Sequence, residues 1–222
     1  QGVRNNTKST LYPSCIAAAA TWDRDLIHQM GIALGQDSRA RGVHILLGPG
    51  ANIYRSPLCG RNFEYFGEDP YLAGEIAASY IIGLQSQGVM ASIKHFAANN
   101  QETDRGTISS EIDERTLREI YLKPFEIAVK KSNPMSIMAA YNKLNGIHCS
   151  QNKWLLEDVL RKEWGFDGAV ISDWGAVHDD VACFASGLDM KMPKGEDLYE
   201  NLKKGLEEGK ITEEQIDKAA EN

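Results

Sequence analysis

The chain has 222 residues, 42% of them hydrophobic and 25% charged, an ordinary globular composition that argues against disorder, collagen or coiled coil and suffices for a sizeable core. Its net charge of −7 makes it a poor nucleic-acid binder, which needs a basic face. No apolar run approaches the roughly 18–20 residues that cross a membrane. Together these favour a protein that handles neutral or cationic small molecules.

In chain order, the Asn5-Asn6-Thr7 sequon comes first, but three residues match by chance too often to place the protein outside a cell. Thr21 is predicted to cap a helix that buries Trp22, Leu26, Met30, Ala33 and Leu34. Val43-His44-Ile45-Leu46-Leu47 reads as a strand. Asp69-Pro70 gives an N-cap and a first-turn proline for a helix with Leu72, Ile76, Tyr80 and Leu84 inward, ended by Gly88. Val89-Met90-Ala91-Ser92-Ile93 is a second strand. Asp113 opens a helix with Leu117, Ile120, Tyr121 and Phe125 inward, kinked at Pro124. Ser136-Ile137-Met138-Ala139-Ala140 is a third strand. Asn152 leads a helix through Leu155, Leu156, Val159 and Leu160, stopped at Gly165. Ala169-Val170-Ile171-Ser172 is a fourth strand, with a weaker run from Ala185 to Met190. Thr212-Glu213-Glu214-Gln215 reads as a capping box.

The strand runs are continuously apolar rather than alternating, as parallel strands covered on both faces should be. Strands alternating with helices mean an α/β fold, either a barrel or a doubly wound sheet. No GxGxxG or GxxxxGK[ST] occurs, so the common nucleotide cradles are missing. Polar residues follow nearly every strand: Gly48-Pro49-Gly50, Lys94-His95, Tyr141-Asn142 and Asp173-Trp174. A (β/α) TIM-type barrel builds its site in this way, from the carboxyl ends of many strands. Five runs fall short of the barrel's eight, so either the barrel is incomplete here or further strands lie outside these residues. Residues 1–222 are read as a single domain of that kind.

Asp173 ends a buried strand, and Trp174 beside it offers an apolar face suited to the C–H face of a sugar ring. The alternative is a helix cap followed by a core tryptophan. Lys94 and His95 supply donors for a polyhydroxylated ligand. Lys94 could instead form a Schiff base, or be paired to a carboxylate with His95 satisfied in the core. Adjacent strand residues diverge, so bringing both to one site requires local distortion. Asn99-Asn100-Gln101-Glu102-Thr103-Asp104-Arg105 reads as a polar loop over the site. Arg61 lies in an aromatic, charged loop and is either a ligand for hydroxyls or a loop salt bridge. Tyr141, at another strand end, could donate to a nearby carboxylate or simply pack. His28, His44, His95, His148 and His178 lack HxH or HExxH spacing, so no metal is expected. Cys15, Cys59, Cys149 and Cys183 lack CxxC spacing and are read as small core or surface residues without function.

Gly60-Arg61-Asn62-Phe63-Glu64, Lys94-His95-Phe96, Asn100-Gln101-Glu102, Asp113-Glu114-Arg115-Thr116-Leu117-Arg118-Glu119, Ala140-Tyr141-Asn142, Asn145-Gly146, Trp164-Gly165-Phe166-Asp167-Gly168 and Ser172-Asp173-Trp174 occur in that order. This series closely resembles the N-terminal catalytic domain of glycoside hydrolase family 3, in its β-glucosidase-like branch, over nearly the whole chain. The resemblance implies a retaining β-glycosidase without a cofactor, with a non-catalytic sugar-binding fragment of such an enzyme as the alternative. Asp173 would be its nucleophile, and Arg61, Lys94 and His95 would hold the sugar hydroxyls. Tyr141 and Met138 would line the same pocket, Trp174 would carry the aglycone side, and Arg4 would be a weaker contact. It also implies a small-molecule β-glucoside or oligosaccharide as substrate. In this branch the acid/base glutamate comes from a second, C-terminal domain, which these residues are not expected to contain. Docking of that domain or self-association is therefore expected. Glucose is the branch's default sugar, with xylose-, galactose- and arabinose-acting relatives sharing the motifs. The N-acetylglucosaminidase branch carries a His after the Lys-His strand, and the loop from Asn99 to Arg105 has none.

Overall fold

The computed structural model describes residues 2–4 and 8–222, so the Asn5-Asn6-Thr7 sequon lies outside the described residues. A short helix α1 (Cys15–Ala19) leads through a tight turn into α2 (Arg24–Ala40). The cap of α2 is Asp23, whose carboxylate accepts from the Leu26 N–H. Thr21, expected in that role, instead donates its hydroxyl to the Ala18 carbonyl and accepts from the Asp23 N–H. The later start rotates the helix, so Ile27, Gly31, Leu34 and Gly35 are buried while Trp22 and Leu26 face solvent.

After β1 (Ile45–Leu46) comes α3 (Pro70–Gln85), capped by Asp69 onto the Leu72 N–H, with Ile76, Tyr80 and Leu84 buried as the spacing predicts. A Cβ at Gly31 would fall 2.4 Å from the Tyr80 carbonyl oxygen, so glycine is what lets α2 lie close against α3. Next is β2 (Met90–Phe96), which runs on through Lys94-His95 instead of ending before them. Then follow β3 (Ser109–Ser110), α4 (Glu114–Thr116) capped by Asp113, a π-type turn over Leu117–Tyr121, and α5 (Lys123–Ser132). Pro124 does not kink a continuous helix: it occupies the first turn of α5, where a missing N–H costs nothing. The wider π turn shifts the helical phase, so Leu122 is buried and Ile120 is half exposed.

Strand β4 (Ser136–Ala139) precedes a hairpin of β5 (Lys143–Leu144) and β6 (Ile147–His148). Asn145 and Gly146 join these at φ 49° and 88°, the left-handed pair a two-residue hairpin turn demands. A helix with π-type bonding over Trp154–Glu163 buries Leu155, Leu156, Val159 and Leu160. The chain closes with β7 (Ala169–Ser172), α6 (Asp180–Ala185), α7 (Leu198–Glu207) and α8 (Glu213–Glu221), the last begun by the expected Thr212–Gln215 capping box.

The four longer-range strands form one parallel sheet in the order β1-β2-β4-β7, each neighbour following the last in sequence. The run expected from Ala185 to Met190 contributes a single parallel bridge, Met190 to Ile171, and its start belongs to α6. A doubly wound sheet reverses its strand order at a switch point, and this one does not. Monotonic order with helical crossovers is the wall of a TIM-type (β/α) barrel. Four strands of that wall lie among the described residues. β3, β5 and β6 form a separate small sheet. No helix among the described residues is long and apolar enough to cross a membrane.

Candidate active site

The end of β2 resolves the geometric problem of two neighbouring polar side chains. Lys94 pairs with Met138 and Phe96 with Ala139, so the register shifts across His95. Such an irregularity re-aims a side chain. His95 then meets the loop arginine: Arg61 Nη2 lies 2.9 Å from His95 Nε2. Lys94 reaches the same loop through Glu64, whose carboxylate receives Arg61 Nε at 2.5 Å and Lys94 Nζ at 3.3 Å.

His95 is fully buried, and burial, followed by the charges of Arg61, Lys94 and Arg105, holds its imidazole well below the usual value of 6.5. The ring is therefore neutral at pH 7. Arg61 only donates, so Nε2 must accept and the proton sits on Nδ1. That tautomer, assigned from the hydrogen-bond network, points Nδ1–H at Asn52 Oδ1 and the Tyr65 hydroxyl, each 3.3 Å away. Asn52 also grips the backbone, accepting from the His95 N–H at 2.7 Å and donating to the His95 carbonyl at 2.9 Å.

Asp173 follows β7 directly, and its N–H donates to the Ala139 carbonyl. Its Oδ1 accepts the Trp174 N–H at 2.7 Å. Its Oδ2 lies 3.5 Å from His95 Nε2. Because that nitrogen carries no proton, Oδ2 is a buried acceptor that, among the described residues, accepts no hydrogen bond. A buried unsatisfied acceptor costs about 1–3 kcal/mol, so this carboxylate is held at some expense and is ready to take a new partner. The carboxylate is only 8% exposed.

Tyr141 donates to the Trp174 carbonyl at 2.7 Å, and its hydroxyl also stands close enough to Asp173 to interact with that carboxylate. Burial and then the negative charge of Asp173 push its phenol above the ordinary 10.0. Arg105 stacks over the Tyr141 ring at 4.1 Å and binds Glu102, which also receives Asn99. The loop from Asn99 to Arg105 thus reaches the cluster. Trp174 is 51% exposed beside the carboxylate. Met138 is buried in β4, in register with Lys94 on one side and Ile171 on the other. Arg4 is exposed and, among the described residues, shares no hydrogen bond or ion pair with the cluster.

Sequence reasoning left out Glu64, Asn52, Tyr65 and Arg105 as members of the cluster. Glu64 had a signal, since it stands three residues after Arg61 in one loop. Asn52 had a weaker one, a polar residue soon after β1. Nothing local marks Tyr65, which acts only through a histidine 30 positions away. All four cysteines are buried, and among the described residues none forms a disulfide.

A family model described as "Glycosyl hydrolase family 3 N terminal domain" matches residues 1–222. Thermostable beta-glucosidase B of Acetivibrio thermocellus is 54% identical over 99% of the chain, which spans 29% of that protein. An exo-alpha-(1->6)-L-arabinopyranosidase of Bifidobacterium longum is 48% identical over 98% of the chain and 28% of its own length. Among solved structures, beta-glucosidase 3B of Thermotoga neapolitana, in complex with alpha-D-glucose, superposes with a TM-score of 0.92 at 51% identity. That match covers 98% of the chain and 32% of the other. The chain thus spans about a third or less of the proteins it resembles. The barrel wall, the ordered strand-end motifs and these matches agree: the chain belongs to glycosyl hydrolase family 3, as its N-terminal domain.

Proposed function

We propose that this chain carries the nucleophile and the sugar-holding groups of a retaining β-glucosidase that removes terminal non-reducing β-D-glucosyl residues. The observation that carries the reading is the Asp173 carboxylate, with one oxygen oriented by a backbone N–H and the other, among the described residues, accepting no hydrogen bond. An acceptor saturated by donors is a poor nucleophile, and Asp173 is not saturated. Names of relatives at about 50% identity support the reaction class, while the arabinopyranosidase among them leaves a pentopyranoside as the competing sugar.

In this mechanism Arg61, Lys94 and the Nδ1-protonated His95 fix the hydroxyls of the sugar, and Trp174 receives the aglycone. Met138 forms the apolar wall and Tyr141 holds the Trp174 backbone in place. Arg4 adds a weaker contact. Asp173 attacks the anomeric carbon while the glycosidic oxygen leaves with a proton, giving a glycosyl-enzyme. Water then attacks the same carbon and regenerates the carboxylate. A second carboxyl must stand about 5–5.5 Å away to give and take that proton. Glu64 is bound to two cations, and Glu102 to Arg105 and Asn99; neither is free to act as the acid. We assign that role to a glutamate outside these 222 residues, on the second domain that the family resemblance implies. Lys94 is engaged with Glu64, the setting of a hydrogen-bond donor and not of a Schiff-base amine.

The test uses 2,4-dinitrophenyl β-D-glucoside, whose leaving group needs little protonation. The first-formed glucose should be the β-anomer by NMR, and Asp173→Gly with added azide should yield α-glucosyl azide. Release of α-glucose first, or turnover undiminished in Asp173→Gly without azide, would overturn the proposal.

A further inference from the structure

Trp22 is the bulkiest side chain in the described residues with a left-handed backbone, at φ 54°. Such a conformation is costly for a large residue and persists only where the surroundings enforce it. The enforcement is visible: Thr21 and Asp23 lock the turn through the Ala18 carbonyl and the Leu26 N–H, and the Trp22 N–H donates to the Ala19 carbonyl. What is enforced is exposure, since the indole is 76% accessible. It therefore contributes little to the core that would justify the strain.

Across from it stands Tyr71, 63% exposed, fixed at the start of α3 by Pro70 and the Asp69 cap. The two rings flank a cavity of about 330 Å³ that is also lined by Arg24, Asp69 and Glu75. That volume is at the lower end of small-molecule sites, about 300–1,000 Å³. Glu75 is buried and binds Arg24 at 3.1 Å and Lys131 at 2.5 Å. Among the described residues, Asp69 Oδ2 and most of the Arg24 donors make no hydrogen bond. Within the groove Arg24 faces Asp69 and Glu75, and Lys131 offsets the remaining charge from behind, so the site suits a neutral ligand. Flat apolar faces, paired donors and acceptors, and no net charge are the complement of a pyranose ring, which has apolar C–H faces and an equatorial belt of hydroxyls.

Topology gives the groove a position. Helix α3 joins two parallel strands, so it runs antiparallel to them and its N-terminus lies at their carboxyl ends. Asp69 and Tyr71 thus share a face of the barrel wall with Asp173, and Arg61 belongs to the same loop between β1 and α3. We propose that the Trp22–Tyr71 groove is a second carbohydrate site, taking a glucosyl unit of a β-linked gluco-oligosaccharide on the rim of the catalytic face. It holds sugar without cleaving it, and it does not depend on Asp173 being a nucleophile.

The experiment titrates the 222-residue chain with cellotetraose by calorimetry and by saturation-transfer NMR. Two sites are expected. Trp22→Ala removes one of them, Tyr71→Ala weakens it at least tenfold, and Trp22→Phe retains it because the ring face persists. Arg61→Ala removes the other site and leaves the groove occupied. Thermal unfolding of Trp22→Ala should match the parent, because the side chain is exposed. A single site, or two sites untouched by Trp22→Ala, overturns the proposal, as does a Trp22-dependent dimer that fills the groove with a second copy of the chain. Failure of Asp173 to label or turn over would leave these outcomes unchanged, so the two readings fall separately.

Discussion

Two aspartates meet β7, one at each end, and receive opposite treatment. Asp189 reaches the strand near its start, where its carboxylate takes the Val170 N–H and Arg161 Nη2, each at 2.6 Å, and Asn222 at 3.0 Å. Asp173 follows the end of the strand, and among the described residues its Oδ1 takes one backbone N–H while its Oδ2 accepts no hydrogen bond. Their side chains are similarly hidden, 5% and 12% exposed. Burial therefore does not distinguish the two carboxylates; the supply of donors does, and on that difference rests the proposal that Asp173 is the reactive one. For Asp189, burial pushes the acid form up, and the Val170 N–H and Arg161 pull against it.

The sharpest way to break the comparison is to neutralise both carboxylates. Asp173→Asn should cut release of dinitrophenol from the activated glucoside by on the order of 10⁴-fold or more, as nucleophile removal does elsewhere. Its unfolding midpoint should hold or rise, because a buried charge short of donors is destabilising. Asp189→Ala should do the reverse. It takes from buried Arg161 its nearest carboxylate, leaving Glu157 at 3.9 Å and the Gly168 carbonyl, a loss of up to about 3–5 kcal/mol, which lowers the melting midpoint by several degrees or more for a chain of this size. Unfolding curves and burst kinetics on the same preparations separate the two.

A smaller effect is expected at Glu64, which ties Arg61 to Lys94. Glu64→Gln keeps the shape but loses the ionic clamp. It should raise KM for the glucoside roughly tenfold to a hundredfold, the loss of one or two charge-assisted bonds at about 1.5–3 kcal/mol each, with a lesser change in kcat.

The smallest concerns pH. His95 binds its proton less readily when folded than unfolded. Below about 6.5 the unfolded chain takes up that proton first, so stability falls as pH drops through this window, by at most about 1.4 kcal/mol per pH unit for one group. Above it both states are neutral and the contribution is flat. His95→Gln should remove that part of the slope, as urea titrations at pH 5, 6 and 7 would register.

The sheet was legible in the sequence because its strands are covered on both faces and read as unbroken apolar runs. Caps with a carboxylate and a proline, such as Asp69-Pro70, were equally plain. Helix α2 was misphased because Thr21 and Asp23 are both good caps, and only the turn through Trp22 decides between them. The β5–β6 hairpin went unread, although Asn145-Gly146 marks it, because its strands are too short to show a period. Within the cluster, Asp173, Lys94 and His95 announced themselves as polar residues on strand ends. Asn52 and Tyr65 did not: their partner His95 lies 43 and 30 positions away, and a hydrogen bond of that span leaves no local pattern. Glu64 and Arg105 pair locally with Arg61 and Glu102, but nothing local shows that those pairs reach Lys94 and Tyr141. The register shift at His95 is likewise a property of two strands together.

The most direct measurement of the central claim is chemical trapping. The chain is incubated with 2,4-dinitrophenyl 2-deoxy-2-fluoro-β-D-glucoside, whose fluorine slows both steps while the leaving group favours the first. The peptide carrying Val170-Ile171-Ser172-Asp173-Trp174 is then sequenced by mass spectrometry. The account predicts a fluoroglucosyl ester on Asp173, absent in Asp173→Asn. A sugar attached to Glu64, Glu102 or any other side chain, with Asp173 unmodified, would contradict it.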